Sequence, residues 1–176
     1  MSPLPAMLET NRLTLRRFIH DDWLAMHAHY GDAECTRHTF RRVLTEGESW
    51  RAMASIEGHW ALRGYGPYAV VETTSQSVIG TVGPWYPNDW PEPEIKWALV
   101  RSAWGRGYAS EAVCAIQHVL SAAGWSPPIS FIHHDNAPSI RVALAVGALL
   151  EQVVTFRDAP WHIYRHPTQP ANPTSP

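Results

Sequence analysis

Two glycines one residue apart, in the run Trp104-Gly105-Arg106-Gly107-Tyr108-Ala109, separate a β-rich stretch from a long apolar stripe. No other feature constrains the fold as much. After the junction, Ala109, Ala112, Val113, Ile116, Val119, Leu120 and Ala123 recur at the spacing of one buried helix face, and Gly124 ends the pattern. Before it, residues 94–100 read as a strand, and a further short strand follows at Ile129–His133. A strand, a helix and a strand in that order make a parallel unit. Glycine backbones let successive N–H groups turn toward one point with no Cβ in the way. The helix start adds orphan donors and a partial positive charge, so the loop suits an anion, above all a pyrophosphate.

Three loop types compete for that description. A P-loop requires G-x-x-x-x-G-K-[ST], which is absent. A dinucleotide fingerprint requires G-x-G-x-x-G or A, but Ser110 holds the last position. It also requires an acidic residue about twenty positions on, and Ser130 and its neighbours offer none. A coenzyme A loop, G-x-G/A entering a long helix, is the third type. A glycine turn without a ligand is the structural alternative.

The rest of the chain frames this unit. Leu8 to Phe18 alternates Leu13 and Leu15 with Arg12, Thr14 and Arg16, as a half-buried strand does. Helices are expected from Asp21 or Asp22 to Tyr30, from Gly47 to Leu62, and from Asn136 to Val146. Tyr68–Thr73 and Val78–Trp85 read as a hairpin, and Leu149–Phe156 and Trp161–Arg165 as closing strands. The fold class is therefore α/β of mixed type: a mostly antiparallel sheet of about seven strands with helices on both faces. Residues 1–166 form one domain, and 167–176, with four prolines in ten residues, read as a disordered tail.

Charge and cysteine narrow the function classes. Lys plus Arg is 14 against Asp plus Glu at 16, which argues against a nucleic-acid binder. Met1 to Glu9 has neither a basic region nor an apolar run of signal length, and no stretch has membrane-span length. With only Cys35 and Cys114, and no clustered metal ligands, a reduced cytoplasmic protein without a metal is expected, as monomer or homodimer.

Residues 94–109, Glu-Ile-Lys-Trp-Ala-Leu-Val-Arg-Ser-Ala-Trp-Gly-Arg-Gly-Tyr-Ala, resemble the acyl-CoA segment of the GNAT N-acetyltransferase superfamily. Asp135-Asn136-Ala137-Pro138-Ser139, followed by Val146-Gly147, resembles the second half of its signature, and Glu9 to Phe18 is similar to the start of the RimJ/RimL-like branch. Departures are Trp104 at the loop start, Lys96 where the branch often has Gly, and Ala148 where an aromatic is common. The resemblance implies acetyl-CoA as donor, a free amine as acceptor and direct attack on the thioester. It implies a splayed central strand pair, with backbone groups of Ala98 and Leu99 left to pair with the pantetheine. The pyrophosphate would rest on the loop: Trp104, Gly105, Arg106, Gly107, Tyr108 and Ala109. Asn136 and Ser139 would contact the cofactor across the cleft, or simply cap the next helix.

Glu94, on the cleft strand, is the candidate base for the attacking amine, acting through a water. Alternatively it pairs with Lys96 on the same strand face, which would make it a poorer base. Weak assistance of this kind suits an α-amine, of pKa ~8, better than a lysine. Ser139 is the candidate donor to the departing thiolate, because Ala143 stands where many relatives carry an acid tyrosine. His133 and His134 would point to opposite faces of their strand, where one could replace Glu94 or both could pack. Four of the nine tryptophans lie within residues 85–104. Of these, Trp85 and Trp90, with Tyr86, are expected to line an acceptor pocket for a flat, apolar or cationic substrate. A non-catalytic acyl-CoA-binding module is the competing class.

Overall fold

In a computed structural model of the chain, residues 3–168 are described. The first expected strand is two. β1 (Met7–Glu9) and β2 (Leu13–Arg16) form an antiparallel hairpin, because Thr10 turns the chain. Its amide donates to the Leu13 carbonyl at 2.9 Å, and its hydroxyl accepts from the Leu13 amide at 3.0 Å. The sheet therefore has eight strands rather than about seven. The proposed disordered tail lies outside the described residues from position 169 onward.

The remaining strands are β3 (Tyr68–Glu72), β4 (Val78–Trp85), β5 (Glu94–Leu99), β6 (Ile129–His133), β7 (Leu149–Phe156) and β8 (Ala159–Arg165). They lie in the order β1-β2-β3-β4-β5-β6-β8-β7, and every neighbouring pair is antiparallel except β5 and β6. The helices are α1 (Trp23–Tyr30), α2 (Ala33–Thr36), α3 (Glu46–Arg63), α4 (Tyr108–Ala122) and α5 (Ala137–Ala145). Among the described residues, no helix is long and apolar enough to cross a membrane.

Local chemistry sets the helix ends. Thr45 and Glu48 form a reciprocal capping box at the start of α3, and Gly64, at φ +75°, ends it. Asn136 caps α5 by accepting from the Ser139 amide at 3.2 Å. Along α4, Ala112, Val113, Ile116 and Leu120 are buried in the main core with Met53 and Ile56 of α3 and Leu13 and Leu15 of β2. Trp85 and Trp97 pack against that core from the cleft strands. Cys35 and Cys114 are free thiols, and burial pushes that of Cys35 up to about 11.

The parallel pair β5–β6 is joined at a single register position, Glu94 opposite Ile129. Beyond it the strands part. Ser130 secures the closed end by donating its hydroxyl to the Ile95 carbonyl at 2.8 Å. His166 sits against the same hydroxyl at 2.8 Å and against the Gln117 side chain at 2.7 Å. With Ser130 donating to Ile95, His166 Nε2–H donates to Ser130 and Nδ1 accepts from Gln117, a neutral ring that burial pushes down to about 4.

Candidate active site

The glycine loop leaves β5 through a short 3₁₀ turn at Arg101–Ala103. Gly105 (φ +71°) and Gly107 (φ +77°) both take the left-handed conformation that side chains disfavour, which is why glycine stands at both positions. Among the described residues, the amides of Gly105, Arg106 and Gly107 have no backbone partner, and α4 starts directly after them. Unpaired N–H groups at a helix start make an anion cradle.

Groups distant in sequence brace that cradle. Arg12 Nη1 donates to the Arg106 carbonyl at 2.9 Å, and its Nε donates to Glu111 at 2.7 Å. The Thr10 hydroxyl donates to the same carboxylate at 2.6 Å. Glu72 accepts from the Ser75 hydroxyl at 2.6 Å, from the Tyr108 hydroxyl and from the Arg106 guanidinium at 3.0 Å, and these donors, Ser75 foremost, hold its carboxyl below the usual range. No local pattern joins positions 12, 72 and 106, so the sequence alone does not mark Arg12, Glu72 and Glu111 as parts of the loop.

The edge of β5 corrects one expectation. The Val100 amide donates to the Ile79 carbonyl, so even-numbered backbone groups face β4 and odd-numbered ones face the gap. Ala98 faces β4: its carbonyl would lie 2.1 Å from a Cβ placed on Gly80. The groups facing the gap are those of Trp97 and Leu99, not Ala98 and Leu99. The Leu99 carbonyl is itself engaged, by His29 Nδ1 and Trp104 Nε1, each at 2.9 Å. Trp104 thus braces the strand end rather than contributing to the cradle with its side chain.

A cavity of about 350 Å³ opens where β5 and β6 part. Glu94 lies in its wall, 5% exposed, with both oxygens engaged: Trp90 Nε1 donates to one at 2.7 Å and the Phe131 amide to the other at 3.0 Å. Burial nevertheless pushes its carboxyl up to about 7, against the opposing effects of these donors and of Lys96. Among the described residues, no carboxylate stands within 4.0 Å of Lys96, so the alternative Glu94–Lys96 contact pair is not formed. Ser139 and Asn136 line the same cavity, and their capping bond coexists with that position.

The aromatic wall differs from the expected one. Trp85 and Trp90 line the cavity; Tyr86 does not, and its ring lies under the Arg63 guanidinium at 4.8 Å. The wall is completed by Phe131 and Trp161, whose rings stand 4.7 Å apart, with Phe156 edge-on to both. Register explains the omission: Phe131 and Trp161 come from neighbouring strands, and only the β6–β8 pairing brings them together.

The exposed ring faces already carry cations from the protein. Lys96 Nζ sits 4.8 Å from the Trp85 centroid, and Arg157 lies 5.6 Å from that of Trp90. Arg157 occupies the β7–β8 turn with φ +50°, followed by Asp158 at +61°, and donates to Asp89 at 2.8 Å. His133 and His134 do not point apart. β6 ends at His133, and the two rings pack 4.6 Å from each other. Burial, followed by the neighbouring His134, pushes His133 below the usual histidine range.

Residues 12–149 match the family model described as an acetyltransferase (GNAT) domain. The chain belongs to the GNAT acetyltransferase family, whose members act on an amine with acetyl-CoA. The uncharacterised N-acetyltransferase p20 of Bacillus licheniformis is 28% identical over 138 residues, covering 77% of this chain and 78% of that protein. The crystal structure of an acetyltransferase from Agrobacterium tumefaciens str. C58 superimposes with a TM-score of 0.81 at 24% identity, covering 94% of this chain and 96% of that one. RimL, a ribosomal L7/L12 alpha-N-protein acetyltransferase solved with coenzyme A, shares the fold with a TM-score of 0.71 at 16% identity, covering 94% of this chain and 97% of that one.

Proposed function

We propose that the cleft transfers the acetyl group of acetyl-CoA to a primary α-amine, on a peptide N-terminus or a small molecule, by direct attack on the thioester. The amides of Gly105 to Ala109 hold the pyrophosphate, with Trp104 bracing the loop, and the gap-facing backbone of Trp97 and Leu99 receives the pantetheine arm. Asn136 and Ser139 approach the cofactor from the other side of the gap. The amine nitrogen forms a bond to the acetyl carbon as the carbon–sulfur bond breaks. Glu94, through a water, takes the proton that the nitrogen sheds. Ser139 donates a hydrogen bond to the departing thiolate, which takes a proton from solvent to end as the free thiol.

One observation carries this reading: a buried carboxyl in the cavity wall, oriented by two donors and tuned to about 7. A base matched to neutral pH can both accept and release a proton there. Lys96 favours the ionised carboxyl, but burial is the larger effect.

The test is thiol release from acetyl-CoA over a panel of amines, beside the thermal shift on adding acetyl-CoA. The expected result is an acetyl-CoA-specific rise in Tm, no rise with NAD, and amine-dependent thiol release. A thermal shift without release on any amine would leave an acyl-CoA-binding module instead.

A further inference from the structure

Lys96 is the charge in the cavity that the protein leaves without a counter-ion. Apart from histidines, four side chains able to carry a charge face this space: Asp89, Glu94, Lys96 and Arg157. Asp89 and Arg157 neutralise each other at 2.8 Å. Glu94 is satisfied by Trp90 and Phe131, and burial leaves it only partly ionised at neutral pH. The ammonium of Lys96 has the Trp85 face and, among the described residues, no hydrogen-bond acceptor. Trp85 is fixed beneath it, stacked 4.6 Å from His59, whose two nitrogens are held by the Tyr65 carbonyl and the Tyr86 amide. A half-buried ammonium resting on a rigid ring has three donors to offer and a partial desolvation cost that an anion would offset. Burial pushes Lys96 down, as such a position requires.

The same arrangement disfavours a cationic acceptor. Trp85 and Trp90 already hold Lys96 and Arg157, so neither ring is available to a second cation. In the remaining wall, Phe131 and Trp161 present flat rings, with the buried Trp161 Nε1 as an unpartnered donor among the described residues. Glu94 and Lys96, two positions apart on β5, project to one face of the strand with Cα atoms roughly 7 Å apart. A molecule with an amine and a carboxylate on one carbon can meet both at once. A nearby Lys96 charge also favours the neutral, nucleophilic form of that amine.

We propose that the acceptor is a free α-amino acid with a flat apolar side chain, its carboxylate held by Lys96 and its amine presented to Glu94. The proposal rests on the acetyltransferase reading above and names the substrate class of the same site. Its test compares kcat/KM for L-phenylalanine and L-tryptophan with that for phenethylamine, tryptamine, spermidine and a short Ser-Ala-Ala-Phe peptide. The amino acids should exceed each of the others by about tenfold or more. In Lys96→Met the preference for L-phenylalanine over phenethylamine should collapse to within about twofold, mainly through KM, and Lys96→Arg should restore part of it. The acetyl-CoA thermal shift confirms that each variant is folded; if Lys96→Met fails that check, the wild-type ratios and Lys96→Arg decide. Equal use of phenylalanine and phenethylamine, preference for the peptide or spermidine, or no turnover of the amino acids would overturn the proposal while leaving acetyl transfer standing. Absence of any acetyl-CoA thermal shift would overturn the functional reading itself.

Discussion

The two halves of the cleft are built by different means. On the side proposed for the donor, the cradle is backbone: two left-handed glycines and the first turn of α4, all within residues 105–109. On the side proposed for the acceptor, the surface is side chain, assembled from β4, the loop before β5, and from β5, β6 and β8. The backbone half is tied to local conformation, so it tolerates changes elsewhere but not at its glycines. The side-chain half depends on register and long contacts, so its chemistry changes with single residues. The two halves should therefore fail independently, and each substitution below should damage one of them.

The largest effect belongs to Glu94. Glu94→Gln should lower turnover on the order of a hundredfold while leaving the acetyl-CoA thermal shift unchanged. Loss of that shift would mean that the halves are not separable. Gly107→Val comes next. Its φ of +77° opposes any side chain there, while the nearest atom to a new Cβ, an Arg12 nitrogen at 3.4 Å, is at ordinary contact distance. At roughly 1–2 kcal/mol for the left-handed conformation, acetyl-CoA affinity should fall about tenfold. Acceptor KM should stay within about twofold, as read by initial rates.

Trp90→Phe is subtler. It keeps a ring but removes the N–H that holds one Glu94 oxygen at 2.7 Å. That donor favours the ionised carboxyl, so its loss should move the alkaline rise in kcat/KM to higher pH by about one unit. Acceptor KM should change more than acetyl-CoA affinity. The smallest effect on the reaction is expected from Ser130→Ala, at the closed end of the gap. It leaves the Ile95 carbonyl and His166 without their partner, and chemical denaturation should show a loss of about 1–3 kcal/mol.

Stability should respond to pH with opposite signs at two buried groups. Glu94 is raised from 4.5 to about 7, so the folded chain holds that proton more tightly, and stability falls as pH rises between those values. His166 is lowered from 6.5 to about 4, so the unfolded chain takes up the proton first, and stability falls as pH drops across that window. The two windows overlap and largely offset each other in the wild type, so melting temperatures from pH 4 to 8 should rise with pH through that range in Glu94→Gln and fall with pH in His166→Gln.

The contrast between the halves also explains what could be read without coordinates. The glycine loop, the α4 stripe, the Asn136 cap and the β5-α4-β6 unit are local patterns, and they appear where the periodicity puts them. The split of the first strand hinged on one threonine side chain, Thr10, whose turn leaves the alternation of Leu13 and Leu15 intact. Glu94 stands out in the sequence as a candidate base, but its donors do not, because the Trp90 contact depends on how a proline-rich loop folds back. Phe131 and Trp161 lie thirty positions apart and meet only through β6–β8 register. Lys96 was visible as a departure at its position, yet whether it paired with Glu94 or stood alone over Trp85 depended on side-chain packing.

The most direct measurement is the pH dependence of kcat/KM for the acceptor amine, in wild type and in Glu94→Gln, at saturating acetyl-CoA. Wild type should rise with an apparent pKa near 7, and the variant should lack that step and retain only the rise set by the amine itself. Identical profiles in the two proteins would remove Glu94 as the group that takes the proton.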